Sequence, residues 1–119
     1  MIDKKDNNAR TDFRVPTPNL LGEYVYKGIK DTCQILDLSF NGAGIKIPQI
    51  VAEDDIVDIR FTLEKYGKIY FKGKVTSSRG GKVGVLFFEI PEKSRKSIQK
   101  FIEDFTNQNI SRLIGGKFD

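Results

Sequence analysis

The segment ILDLSFNGAGI, residues 35–45, is the most informative part of this chain of 119 residues about its fold. Apolar and polar residues alternate over residues 36–39, which predicts a half-buried β-strand. Asn41-Gly42 follows and is a strong signal for a tight hairpin turn. Ala43–Ile47 is then the return strand. Because side chains two apart on a strand share a face, we expect an antiparallel hairpin with one buried face.

The order of residues in the first strand predicts which side chains are buried. Leu36 and Leu38 lie two apart, and Asp37 and Ser39 occupy the alternate positions. Leucine is far more often buried than aspartate or serine. We therefore expect Leu36 and Leu38 to face the core and Asp37 and Ser39 to face outward.

Further strand-like runs lie on both sides of this hairpin, with turn signals between them. The predicted strands are Glu23–Tyr26, Cys33–Ser39, Ala43–Ile47, Ile56–Leu63, Ile69–Ser77 and Val83–Phe88. Six short strands of this kind are typical of a barrel or a sandwich. The chain is long enough for one hydrophobic core and too short for two ordinary domains.

The pattern changes to a helical period near the C-terminus. Pro91 is a good first residue for a helix, and an apolar stripe follows it. The stripe consists of Ile98, Phe101, Ile102 and Phe105. We expect this helix to close one end of a barrel. In the tail, residues 107–119, Gly115-Gly116 should stop the apolar pattern. The tail is either a further helical turn packed on the barrel or an exposed contact for a partner.

Composition narrows the function. The chain has 20 basic and 16 acidic residues, a net charge of +4, no histidine and one cysteine, Cys33. Without histidine or paired thiols, the commonest general base and the commonest metal ligands are missing. We therefore predict no enzyme activity, no metal and no cofactor, and we interpret Cys33 as a packed strand residue. The polar N-terminus and the lack of a long apolar run predict a cytoplasmic protein without a membrane span.

Two motifs suggest recognition of an anionic nucleotide. Arg10 and Arg14 lie four apart on a segment that two following prolines keep extended. Guanidinium groups bind phosphates, bind guanine edges and stack on purine rings. Asp37 can accept two hydrogen bonds from the Watson–Crick edge of guanine, which adenine does not offer. Ser39 can donate to an oxygen of the ligand, and Gly42 allows backbone to approach it closely.

The pattern Arg10-x-x-x-Arg14 followed by Asp37-x-Ser39-x-x-Gly42, in a short β-rich chain, resembles the PilZ family over residues 9–106. The resemblance implies a mainly β fold, a six-stranded antiparallel barrel with a C-terminal α-helix. Residues 1–18 would be a flexible N-terminal arm, and residues 19–106 would be the barrel and its helix. It also implies that cyclic di-GMP binds on the outer surface of the barrel, under the arm.

The ligand-binding residues that the resemblance implies are Arg10, Arg14, Asp37, Ser39, Gly42 and Gly44. Ala9, just before the first arginine, leaves open whether one ligand or a stacked pair binds. Ordering of the arm would relay the signal to a separate protein partner, in control of motility or biofilm formation. We expect a monomer or weak dimer.

Two alternatives stay open at this point. The first is a PilZ-like adaptor that contacts proteins without needing the nucleotide. The second is a small basic barrel that binds single-stranded nucleic acid, with Tyr24, Tyr26, Tyr66 and Tyr70 as stacking platforms. Acidic residues interleave with the basic ones along the chain, which disfavours this second alternative.

Overall fold

Six antiparallel strands close into a barrel, and one helix follows them. The computed structural model describes residues 13–118, with side chains up to residue 108. The elements are β1 (Val15–Tyr26), β2 (Ile29–Leu38), β3 (Gly42–Lys46), β4 (Ile56–Leu63), β5 (Gly67–Arg79), β6 (Lys82–Glu89) and α1 (Glu92–Phe118). Around the barrel the strands lie in the order β1, β2, β3, β6, β5, β4. The predicted mainly β fold, a six-stranded antiparallel barrel with a C-terminal helix, is confirmed.

Strand β4 shows how the sequence builds the barrel wall. Its residues Val57, Ile59, Phe61 and Leu63 are all buried, as the strict alternation of the sequence predicted. They form one continuous core with inward residues of the other five strands. Each such side chain contributes roughly 1.5–3 kcal/mol by leaving water. The alternation therefore fixes which face of this strand points inward.

Strand β2 differs from the prediction because it contains a β-bulge. Ile35 pairs with Ile45 and Asp37 pairs with Gly44, so β2 holds one residue more than β3 over this interval. The extra residue shifts the phase of the alternation. Leu38 is buried as predicted, but Leu36 lies partly exposed at the surface beside Asp37. The prediction that Leu36 faces the core is thus wrong.

Strand β1 is longer than predicted. It begins at Val15 instead of Glu23, so residues 15–18 of the predicted arm belong to it. Val15 is fully buried, and the Thr17 hydroxyl donates a hydrogen bond of 2.6 Å to the Ile35 carbonyl. Pairing with β4 covers only positions 22–25, so the prolines of the strand lie where one edge is unpaired. Proline is tolerated at such an edge because it offers no N–H to the ladder.

The connection between β2 and β3 covers residues 39–41, and Gly42 opens β3. Gly42 is buried and pairs with Leu86 of β6. A Cβ atom at Gly42 would lie 2.0 Å from the carbonyl oxygen of Val85. The glycine is therefore required because the two strands approach each other so closely at the hairpin.

Helix α1 packs on the barrel through the predicted apolar stripe. Ile98 and Ile102 are each 1% exposed, and both belong to the barrel core. Polar contacts fix the helix at its start: the Ser94 hydroxyl accepts a hydrogen bond of 3.0 Å from the Tyr70 amide. One turn further on, the Ser97 hydroxyl donates to the Tyr66 carbonyl at 3.0 Å. Apolar and polar contacts together position the helix.

A carboxylate of α1 provides a further link to the barrel. The Tyr66 hydroxyl donates to Asp104 at 2.8 Å, and the Tyr66 ring meets Phe101 edge-on at 5.6 Å. This hydrogen bond lowers the pKa of Asp104 and raises that of Tyr66. Because the carboxyl pKa is lowered, the bond stabilises the fold at pH values above the ordinary carboxyl pKa of about 3.9. This stabilisation is lost as the pH falls below the lowered pKa.

The helix continues through the tail. Helix α1 runs to Phe118, across Gly115-Gly116, where the sequence predicted a stop. The side chains beyond residue 108 lie outside the described part of the chain, so both interpretations of the tail stay predictions.

The interpretation of Cys33 as a packed strand residue is confirmed. Its side chain is 2% exposed on the core side of β2. Burial raises the pKa of the thiol to about 11, so it is protonated at neutral pH. A protonated, buried thiol is a poor nucleophile.

We expect Gly42→Ala to destabilise the protein by at least about 2 kcal/mol, because the new methyl group overlaps the backbone of Val85. Urea unfolding followed by circular dichroism measures the loss. Gly44→Ala is the matched control: its Cβ would meet only the side-chain carboxylate of Asp37, at 3.0 Å. Equal unfolding free energies for the two variants would contradict this account.

Candidate functional site

Asp37 lies at the centre of the candidate site. Its Oδ1 atom accepts hydrogen bonds from Arg14 Nη1 at 2.8 Å and from the Gly44 amide at 3.0 Å. Both side chains are partly accessible, at 39% for Arg14 and 29% for Asp37. Residues 23 positions apart thus meet because β1 begins beside the end of β2, where Val15 pairs with Leu38.

A groove of about 460 Å³ opens beside this ion pair. It is lined by Arg14, Leu36, Asp37, Gly44, Ser77, Arg79, Lys82, Val83 and Gly84. Its volume falls in the range of roughly 300–1,000 Å³ that is typical of small-molecule sites. Three of these residues were predicted from the sequence as parts of one site: Arg14, Asp37 and Gly44.

The floor of the groove is made of backbone. Gly44 of β3 and Gly84 of β6 are direct cross-strand partners, and Asp37 and Ser77 continue the same row on either side. A Cβ atom at Gly84 would lie 2.8 Å from the Ser77 hydroxyl. A Cβ atom at Gly44 would lie 3.0 Å from the Asp37 carboxylate. The two paired glycines therefore make room for the side chains of Asp37 and Ser77, which lie close to the sheet beside them.

Bulges lie at both sides of this floor. One bulge precedes Asp37 in β2, and another lies between Val75 and Ser77 in β5. A bulge bends a strand, increases its twist and redirects a side chain. The floor of the groove thus lies between two strands that are each bulged next to it.

Sequence reasoning missed the wall that β5 and β6 contribute. Arg79 and Lys82 lie between the predicted strands Ile69–Ser77 and Val83–Phe88 and were not predicted as site residues, yet both line the groove. Gly80 and Gly81, with φ of 56° and 84°, form the tight turn that places Arg79 opposite Lys82. The sequence signal was a pair of cations flanking a two-glycine turn. Only the barrel closure shows that this turn lies near Asp37.

Ser39 differs from its predicted place. It is 1% exposed, and its hydroxyl accepts from the Gly42 amide at 3.1 Å and donates to the Gly42 carbonyl at 3.2 Å. The prediction that Ser39 shares an outward face with Asp37 is wrong, because β2 ends at Leu38 and the chain then turns inward. Ser39 holds the hairpin that presents Asp37 and Gly44.

The remaining predicted positions divide as follows. Gly42 supports the hairpin through its contact with Val85 and does not line the groove. Arg10 lies outside the described residues, as does Ala9.

A larger groove, of about 560 Å³, lies on the outer surface of β1, β4 and β5. There the Arg60 guanidinium lies 5.4 Å from the centre of the Tyr70 ring, and Leu21 is exposed. It contains none of the predicted site residues. We place the candidate site in the smaller groove, because cationic side chains, a carboxylate and a backbone floor converge there.

Burial disfavours stacking of single-stranded nucleic acid on the tyrosines. Tyr24 is 0% and Tyr26 8% exposed, and Tyr66 packs against Phe101. Stacking on bases requires an exposed ring face. Two of the four predicted platforms are therefore buried.

Within the part of the chain that the structure describes, no group of His, Cys, Asp or Glu side chains is arranged to hold a metal ion. The same residues contain no helix long and apolar enough to cross a membrane.

Solved structures with the same fold share little sequence with this chain. The PilZ domain of Escherichia coli YcgR with c-di-GMP is 13% identical, with 85% of this chain and 94% of that chain covered and a TM-score of 0.64. The PilZ domain of CeSA from a cellulose-synthesizing bacterium is 18% identical, with coverage of 80% and 99% and a TM-score of 0.62. At such identities the likeness is one of fold.

Borreliella burgdorferi PlzA, solved in complex with c-di-GMP, is 22% identical, with a TM-score of 0.60. The match covers 82% of this chain and 43% of PlzA, so this chain corresponds to less than half of that protein. No curated protein sequence matches the chain.

A match to a protein-family model assigns this chain to a family, which the distant structures do not. The model of the PilZ domain matches residues 4–104, which is most of the chain. This range includes both arginines, the β2–β3 hairpin, all six strands and most of the apolar stripe of α1. The chain belongs to the PilZ domain family.

Proposed function

We propose that this chain is a receptor for cyclic di-GMP that binds the dinucleotide in the groove beside Asp37. The observation that carries the proposal is the convergence of Arg14 and the Gly44 amide on one oxygen of Asp37. A carboxylate fixed in this way, next to a flat backbone floor, presents its edge to a planar base. Guanine offers two adjacent N–H donors to such an edge.

Binding exchanges one set of hydrogen bonds for another. Asp37 Oδ1 already accepts two hydrogen bonds, so a guanine that engages both carboxylate oxygens displaces Arg14 from it. The released guanidinium then binds a phosphate of the ligand, with which it forms a bidentate pair. Because the ion pair between Arg14 and Asp37 is partly exposed, breaking it costs less than the new charged hydrogen bonds to phosphate contribute.

The other predicted residues have supporting roles in this proposal. Arg10 acts with Arg14 on phosphates and guanine faces. Gly44 orients Asp37 through its amide and leaves room for the Asp37 carboxylate. Ser39 and Gly42 act indirectly, since they hold the hairpin in shape. The groove does not fix whether one ligand or a stacked pair binds.

The signal passes to a protein partner through the segment that precedes β1. Arg14 lies directly before Val15, the first residue of β1. Transfer of Arg14 from Asp37 to a phosphate therefore changes the contacts of the residue next to the start of the barrel. We propose that this segment closes over the bound nucleotide and creates the surface that the partner recognises.

Arg14→Ala should weaken binding of cyclic di-GMP by at least about 2 kcal/mol, because charged hydrogen bonds to phosphate are lost. Isothermal titration calorimetry measures the difference. Arg60→Ala, which removes an exposed arginine outside the groove, is the control and should bind like the unaltered protein. Absence of binding by the unaltered protein would overturn the proposed function.

Asp37→Ala should bind cyclic di-GMP and cyclic di-AMP with similar affinity, whereas the unaltered protein should prefer cyclic di-GMP. The reason is that only guanine donates two hydrogen bonds to a carboxylate edge. Competition of each nucleotide against a fluorescent cyclic di-GMP analogue gives the ratio. If the variant keeps the full preference, the carboxylate does not recognise the base.

Saturating cyclic di-GMP should reduce the mobility of the residues before Val15. Backbone ¹⁵N relaxation with and without ligand measures this, with the exposed turn at Lys27-Gly28 as an internal reference that should not change. Unchanged relaxation of residues 1–14 in the saturated protein would contradict the proposed relay.

A further inference from the structure

A row of cations crosses the outer face of three strands next to the groove. Lys46 of β3 pairs with Lys82 of β6, and Lys82 pairs in turn with Arg79 of β5. All three residues are exposed. We call Lys46, Lys82 and Arg79 the basic row.

The basic row runs parallel to the floor of the groove. Gly44 and Gly84 lie two residues before Lys46 and two residues after Lys82, on the same strands. Two residues along a strand correspond to about 7 Å and to the same face of the sheet. The basic row therefore borders the glycine floor on the side of the β5–β6 turn. Asp37 borders the floor from the neighbouring strand β2, where it pairs with Gly44.

Such a row is unfavourable for folding by itself. Like charges directly opposite each other on neighbouring strands repel and destabilise the pair. Among the described side chains, no carboxylate forms an ion pair with a member of the basic row. By contrast, Lys72 and Lys74 of the same strand β5 lie 3.3 Å from Asp58 and 3.8 Å from Asp54. A row of cations at the border of a cavity, without an ion-pair partner among the described side chains, suits an anionic occupant.

We propose that Arg79 and Lys82, assisted by the charge of Lys46, form a phosphate-binding wall for the ligand whose base lies on the Gly44–Gly84 floor. This inference rests on the proposed function and adds a second group of cations to it. Arg14 contacts the ligand from the β1–β2 side, and the wall contacts it from the β5–β6 side. Two separate cationic walls suit a ring that carries two phosphates.

The wall has a consequence for the protein without ligand. Because the row is held together against its own repulsion, removing charge from it should leave the fold as stable as before or raise its stability. The same change should weaken binding. A residue that supports only the fold would instead lower stability and binding together.

The test is the double variant Arg79→Ala/Lys82→Ala, measured by calorimetry with cyclic di-GMP. We expect the dissociation constant to increase at least about tenfold, since charged hydrogen bonds to phosphate are lost. We also expect a melting temperature equal to or above that of the unaltered protein. The increase of the dissociation constant with salt should be smaller for the variant, because fewer charges face the ligand.

The matched control is Arg60→Ala/Lys68→Ala, which also removes one arginine and one lysine, both exposed and both in the other groove. It should bind within about twofold of the unaltered protein. An equal loss of affinity for cyclic di-GMP in both double variants would show a general effect of net charge. That result would contradict the proposed phosphate-binding wall.

The outcomes separate the two proposals. If the unaltered protein binds cyclic di-GMP and the Arg79→Ala/Lys82→Ala variant binds equally well, the wall is wrong and the proposed function stands. If that variant binds weakly but also melts at a lower temperature, the residues act through the fold and the wall is again wrong. If the unaltered protein does not bind cyclic di-GMP, both proposals are wrong.

Discussion

One extra residue in β2 connects the core of this barrel to its candidate site. Between Ile35 and Asp37 the bulge changes the phase of the strand, so Ile35 and Leu38 both face the core although they are three residues apart. The intervening Leu36 and Asp37 then both lie at the surface, where Asp37 meets Arg14 and the Gly44 amide. In a regular strand Asp37 would share the inward face of Ile35, and the groove would lose its central carboxylate.

The hairpin that follows depends on small residues for a different reason at each position. Gly42 is needed for the fold because Val85 of β6 lies against it, whereas Gly44 and Gly84 make room for the side chains of Asp37 and Ser77 on the outer face. The hydroxyl of Ser39 makes its hydrogen bonds inside the turn. A motif that looks like a set of ligand contacts thus divides into one part that builds the hairpin and one part that faces the groove.

Much of the fold could be predicted because buried apolar residues recur at a regular spacing along strands and helices. The alternation in β4 and the stripe of Ile98 and Ile102 in α1 are of this kind, and both are confirmed. Local patterns failed where non-local pairing decides the structure. The start of β1 at Val15 depends on pairing with the end of β2, and prolines at an unpaired edge do not prevent it. The alternation of inward and outward side chains in β2 depends on a bulge that no glycine or other turn residue in the sequence indicates.

The six strands, the terminal helix and the spacing of Arg10, Arg14 and Asp37 could be inferred from the amino-acid sequence alone. These are properties of composition and of contacts near in the chain. Three features depend on how the strands assemble: Ser39 is buried, Leu36 is partly exposed, and Arg79 and Lys82 line the same groove as Asp37. The physical reason is closure of the barrel: it brings β3 and β6 together across about 40 residues of chain, and periodicity carries no information about pairs so far apart.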